Sequence, residues 1–153
     1  MATIPDSARA FLAGGLWAHV VTMTRDGEPH VNVTWAGFDG DELVFASFFD
    51  ARRAGRLRRD PRVTISFEAK EYDGAALWPY LVIEGRATVV DGGALEVMDH
   101  LAQWYIGPGA EYPRRDMPRG WTFRVRVEKI YGQGPWNARC VEMDRASRNA
   151  ASR

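Results

Sequence analysis

The run Asp26-Gly27-Glu28-Pro29-His30-Val31-Asn32-Val33-Thr34-Trp35, with a second Asp-Gly pair at Asp39-Gly40, decides the fold. Val31, Val33 and Trp35 alternate with His30, Asn32 and Thr34, the period of a strand with two unlike faces. Asp-Gly suits a tight hairpin because glycine reaches positive φ without a Cβ clash. The first pair therefore joins this strand to the apolar run 16–24, and the second joins it to 42–48. Two such turns between alternating runs predict an antiparallel meander.

Outward from the meander, Asp6 is positioned to cap a short helix over residues 7–13, stopped by Gly14-Gly15. Asp50 caps a second over 51–59, which Pro61 forbids from continuing. Strands follow at 62–68 and 80–90, after a loop opened by Tyr72-Asp73-Gly74. Residues 94–105 form a helix with Leu95, Met98, Ala102 and Tyr105 on one face. The Pro- and Gly-rich segment 107–120 reads as a long loop and a candidate functional segment. Trp121, Phe123, Val125 and Val127 alternate in the last strong strand. A frayed polar tail is expected from Asp144 onward. Six strands in so short a chain are expected to close on themselves, since closure removes exposed edges. The fold expected is a small, mainly antiparallel β-barrel with peripheral helices, one domain over residues 1–140 with a polar tail at 141–153.

Composition removes many functions. The 153 residues carry 20 Lys+Arg against 20 Asp+Glu, so no bulk field draws the protein onto nucleic acid or anionic membrane. Six Trp and 46% apolar residues exclude a disordered chain. The single Cys140 makes no internal disulfide, and no Cys/His set has zinc spacing. His19, His30 and His100 stand alone, and Asp99 beside His100 points away from it on a helix. No nucleophile elbow, metalloprotease, Walker or dinucleotide-binding motif occurs. No apolar run approaches a membrane span and residues 1–6 lack a signal peptide's order, so a cytoplasmic protein is expected.

Arginine placement is the positive signal. Eighteen of the twenty basic residues are Arg, and six fall in eleven positions: 52, 53, 56, 58, 59 and 62. Ala54 and Leu57 would seat the helix on the barrel, with Arg52, Arg53 and Arg56 in its first two turns and on one side. Guanidinium groups beside the free N–H groups of a helix start make an anion site, for which phosphate is the natural guest. A solvated basic face is the competing reading of the same pattern.

The ordered series 26–35, Phe45-Ala46-Ser47, the arginine run 52–63 and Ile83-Glu84-Gly85-Arg86-Ala87-Thr88-Val89-Val90 resembles the pyridoxamine 5′-phosphate oxidase-like split-barrel superfamily. It looks most like the actinobacterial branch that uses a 5-deazaflavin, coenzyme F-420. The resemblance covers roughly residues 5 to 135. It implies a six-stranded split β-barrel and a homodimer with cofactor sites at the subunit interface. It also implies a ring lined by Asn32, Val33, Thr34, Trp35, Ala46, Ser47 and Phe48, with phosphate held by Arg52, Arg53 and Arg56. The chain departs from the common pattern in having Arg53 where Lys is usual and Arg56 where Asn is frequent. FMN presents one phosphate, whereas the deazaflavin adds a tail of carboxylates. The surplus of arginines therefore favours coenzyme F-420, with FMN as the alternative.

The function expected is hydride transfer between that coenzyme and a small organic acceptor such as an enone or imine. Ring and acceptor need orientation more than side-chain chemistry, so no residue is named catalytic. Trp78 and Tyr80, flanking Pro79, are candidates for an aromatic wall. Trp104, Tyr105 and Tyr112 are candidates for a lid, and Trp136 for reaching a partner's site. Two other readings stay open: a non-catalytic binder of flavin, deazaflavin, haem or a related pigment on the same barrel, and a single-strand-binding barrel using the arginine helix.

Overall fold

The computed structural model describes residues 2–72, 74 and 77–152; Asp73, read as part of a loop, lies outside them. In chain order the elements are α1 (Asp6–Leu12), β1 (Ala18–Met23), β2 (Pro29–Thr34), β3 (Ala36–Asp39), β4 (Glu42–Ser47) and α2 (Ala51–Arg59). They continue with β5 (Arg62–Glu68), β6 (Tyr80–Asp91), α3 (Ala94–Tyr105), β7 (Trp121–Gln133) and α4 (Ala138–Ala151). The strands make one antiparallel sheet in the order β2-β1-β5-β6-β7-β4-β3.

The seventh strand arises because the meander's middle run is two strands. β2 and β3 sit at opposite ends of the sheet order, yet only Trp35 separates them along the chain. The sheet must therefore curl until its two edges meet at that residue. No ladder joins β2 to β3 among the described residues, and the result is a split barrel. The alternation also stops at Thr34, so Trp35 does not share the face of Val31 and Val33. Those two are each 55% exposed, whereas Trp35 is half-buried against Tyr105.

Val20, Phe45, Ile65, Phe67, Leu81, Ile83, Phe123 and Val125 fill the barrel, and Leu12 from α1 and Leu57 from α2 join the same core. Ala54 and Leu57 are both 1% exposed and seat α2 on the sheet. The buried face of α3 is Ala94, Met98, Leu101 and Ala102, while Leu95 is only half-buried. A register shift between Glu84 and Gly85 bends the long β6–β7 pair. Glycine is required there because a Cβ would sit 2.3 Å from the Arg126 carbonyl oxygen.

Two expectations need correction. The segment read as frayed from Asp144 is helical within α4, though none of its residues is buried. Side chains such as Arg148, which bonds Asp144 at i,i+4, carry it. Trp136 packs on Phe11 of its own chain, ring centroids 4.6 Å apart, because the turn after β7 folds back on α1. Among the described residues no helix is long and apolar enough to cross a membrane.

Candidate functional site

Strand β4 ends in a bend that launches α2. The Asp50 N–H donates to Ser47 Oγ at 3.0 Å, and Asp50 Oδ1 accepts from the Arg53 backbone N–H at 2.9 Å. This is an N-cap of the expected kind. It also means that the first turn's donors are partly satisfied by the chain's own carboxylate rather than left for an outside anion.

The arginines of α2 diverge. Successive helix positions lie about 100° apart, so Arg52 and Arg53 cannot share a direction as the sequence reading supposed. Arg53 is turned inward, 6% exposed, with its guanidinium 5.9 Å from the Phe45 ring centroid. Its Nε lies 3.3 Å from Asp50 Oδ2 but makes no hydrogen bond. Burial lowers the pKa of Arg53, Asp50 opposes that shift, and neighbouring Arg56 adds to it. A buried guanidinium with an orphaned N–H is costly unless an acceptor reaches it.

Arg56 ties the helix to the sheet. Its Nε donates to Thr22 Oγ1 at 3.0 Å and its Nη2 to Asn32 Oδ1 at 3.3 Å, with Asp50 Oδ2 at 3.9 Å. The polar face of β2 therefore points inward toward α2, and Asn32 and Thr34 are half-buried there. Arg59 donates to the Met23 carbonyl and Arg58 pairs with Asp91. Beside them Thr24, Arg25, Arg52, Gly55, Arg56 and Arg59 line a groove of about 520 Å³. Arg25 and Arg52 have no hydrogen bond or ion pair among the described residues.

The remaining candidates fall in two other places. Trp35, Ala46 and Phe48 pack together with Ala94 and Met98 beneath α3. There Trp35 stacks on Tyr105 at 4.8 Å, and Tyr112 meets both Trp35 and Phe48. Tyr105 is pinned: its hydroxyl accepts from the Ala36 N–H, and its one proton lies between the Leu16 and Ala36 carbonyls. Burial pushes its pKa up to about 12. Tyr112 is held by Asp99, which accepts from its backbone N–H and pairs with Arg115.

Val33 and Trp78 lie on the outer side of the sheet. They line a cavity of about 730 Å³ with Trp17, His19, Glu68, Ala69 and Lys70. Tyr80 lies in an adjoining cavity that shares His19 and Glu68. His19, read from the sequence as isolated, is thus part of a built cleft. The signal was a strand register, His19 opposite Val33 on one side and Ser66 on the other, which no single stretch of sequence contains. No group of three or more metal-ligating side chains occurs among the described residues.

The profile of the pyridoxamine 5′-phosphate oxidase family matches residues 4–134. A solved F420 reductase is 24% identical, with a TM-score of 0.67 over 84% of this chain and 98% of that one. HupZ of Group A Streptococcus is 17% identical, with a TM-score of 0.62 over 85% and 94%. A conserved hypothetical protein of Mycobacterium tuberculosis, Rv2991, is 19% identical, with a TM-score of 0.63 over 86% and 89%. No curated protein sequence matches the chain.

Proposed function

The chain belongs to the pyridoxamine 5′-phosphate oxidase family, and from that premise we propose that it is an oxidoreductase using coenzyme F-420, with FMN as the alternative cofactor. The observation that carries this reading is the arginine field of α2. It holds one buried guanidinium short of an acceptor, and beside it a groove with two arginines unpaired among the described residues. One phosphate does not need so many cations; a phosphodiester followed by a carboxylate tail does.

Within this reading Arg53 and Arg56 hold the phosphate, and Arg25, Arg52 and Arg59 receive the tail along the groove. Asn32, Thr34 and Ser47 face the ring heteroatoms from β2 and β4. Trp35, Ala46 and Phe48 form the packed wall behind them, braced by Tyr105 and Tyr112. When bound, the coenzyme supplies the hydride, and the protein's part is to orient an enone or imine acceptor and to exclude water.

A second copy of the chain completes the site. The outer sheet face exposes Val31 and Val33, with Trp17 beside them, each at 55%, and such an apolar patch marks an interface. The facing row Val33-His19-Ser66-Val82-Tyr131 runs across five strands of this face. Titration of the apoprotein with each cofactor tests the reading. An absorption band near ~420 nm on binding marks the deazaflavin, and one near ~450 nm marks FMN, both set by cofactor electronics. Submicromolar FMN binding with none of the deazaflavin reverses the order; binding of neither sinks the proposal.

A further inference from the structure

We infer that Asp50 is a specificity-determining residue of the phosphate pocket: it selects a phosphodiester, with one negative charge, over a phosphomonoester, with two. This role rests on the reading above in which Arg53 and Arg56 hold the cofactor's phosphate, and it names the class of phosphate that they take.

Asp50 stands where an anion would. Its Oδ2 lies 3.3 Å from Arg53 Nε and 3.9 Å from Arg56 Nη2, and among the described residues no other carboxylate pairs with either guanidinium. Yet Arg53 Nε is buried without a hydrogen bond. Asp50 is held as it is from two sides. Its Oδ1 accepts from the Arg53 backbone N–H at 2.9 Å, and its own N–H donates to Ser47 Oγ at 3.0 Å. Arg56 is fixed as well, through Thr22 Oγ1 and Asn32 Oδ1. An acceptor that reaches the orphaned Nε therefore comes to rest beside an immobilised carboxylate.

Charge then sorts the ligands. Two guanidinium groups less one carboxylate leave one net positive charge in the pocket, and a phosphodiester cancels it. A phosphomonoester carries nearly two negative charges at neutral pH. Its second charge meets Asp50 uncompensated in a half-buried place, where a like-charge contact counts for more than in water. Repulsion of the wrong ligand is a general source of selectivity. Arg25 and Arg52 stand outside this balance, since both are exposed along the groove and screened by salt.

Absorbance titration of the apoprotein at pH ~8, where the monoester is a dianion, compares FMN with its phosphate methyl ester, and the same pair on the deazaflavin ring. Each pair differs by one charge and shares everything else that binds. The parent should hold the ester more tightly. Asp50→Asn keeps the helix cap, since Asn serves there as well as Asp. It should tighten the ester by about tenfold and the monoester by about a hundredfold, one short-range charge contact for each negative charge. Asp91→Asn removes the same charge from the pair with Arg58 on the same helix, and should move the ratio by less than about twofold, as a screened surface charge does. Methyl phosphate against dimethyl phosphate, read by melting temperature at constant ionic strength, repeats the comparison without a ring. A parent that prefers the monoester, or equal gains for the two members in Asp50→Asn, overturns the inference. If the rings bind and the ratio does not move, the role of Asp50 alone falls. If no ring binds while methyl phosphate stabilises Asp50→Asn more than the parent, the coenzyme reading falls and the selectivity stands. Binding of no phosphate compound at all sinks both.

Discussion

Replacing Tyr105 by Phe removes one oxygen from a junction of three elements. That oxygen accepts from the N–H of fully buried Ala36 at 3.0 Å and donates between the Leu16 and Ala36 carbonyls. The ring stays, so the stack on Trp35 at 4.8 Å and 10° survives. Stranding a buried donor costs about 1–3 kcal/mol near neutral pH. The pH dependence is the sharper signature. Burial raises the folded pKa of Tyr105 to about 12, from an ordinary value of 10.0. The unfolded chain therefore releases this proton first, and the stabilisation is complete below pH ~10 and lost as pH rises toward ~12. Two pH units correspond to about 2–3 kcal/mol. Urea unfolding of the parent and of Tyr105→Phe between pH ~8 and ~12 measures it, and subtracting the two curves cancels the other tyrosines and lysines. The parent's advantage should shrink by about 2–3 kcal/mol across that interval. A gap that stays constant with pH, or a variant more stable at pH ~8, refutes the burial argument.

Three further outcomes are expected. Arg53→Ala should weaken cofactor binding by about 1.5–3 kcal/mol, the scale of a charge-assisted hydrogen bond, with the fold intact by circular dichroism; unchanged affinity would put the phosphate elsewhere. Gly37→Ala should lower stability by about 1–3 kcal/mol, because the new Cβ would lie 2.0 Å from Trp104 Cζ3; a melting temperature equal to the parent's would contradict that contact. Val33→Asp places a charge on the exposed outer face of β2, so for the proposed dimer sedimentation should show a shift toward monomer, and a dimer of unchanged affinity would exclude that face as the joint.

Much of the candidate site's local structure was readable one element at a time. Asp50 as a cap, Ala54 and Leu57 as the seat of α2, and the alternation of 29–34 are local patterns, each enforced by helix or strand geometry within a few residues. Arg53 shows the limit. Its sequence neighbours could not tell a solvated guanidinium from one turned beneath the helix, because that depends on Phe45 lying under α2. The same holds for Arg56, whose partners Thr22 and Asn32 come from two other strands.

By itself, the amino-acid order determined most element types, the hairpin turns, the family resemblance and the concentration of arginine after β4. Those properties reside in contiguous stretches, where period, turn chemistry and capping act at short range. Tertiary structure alone decided that β2 and β3 end at opposite edges of a curled sheet, and that its valines face outward while Asn32 faces the arginines. It also gathered Trp17, His19, Glu68, Lys70 and Trp78 around one cleft. Strand register and sheet curvature are settled by which distant faces pack together, and that information is spread over the whole chain.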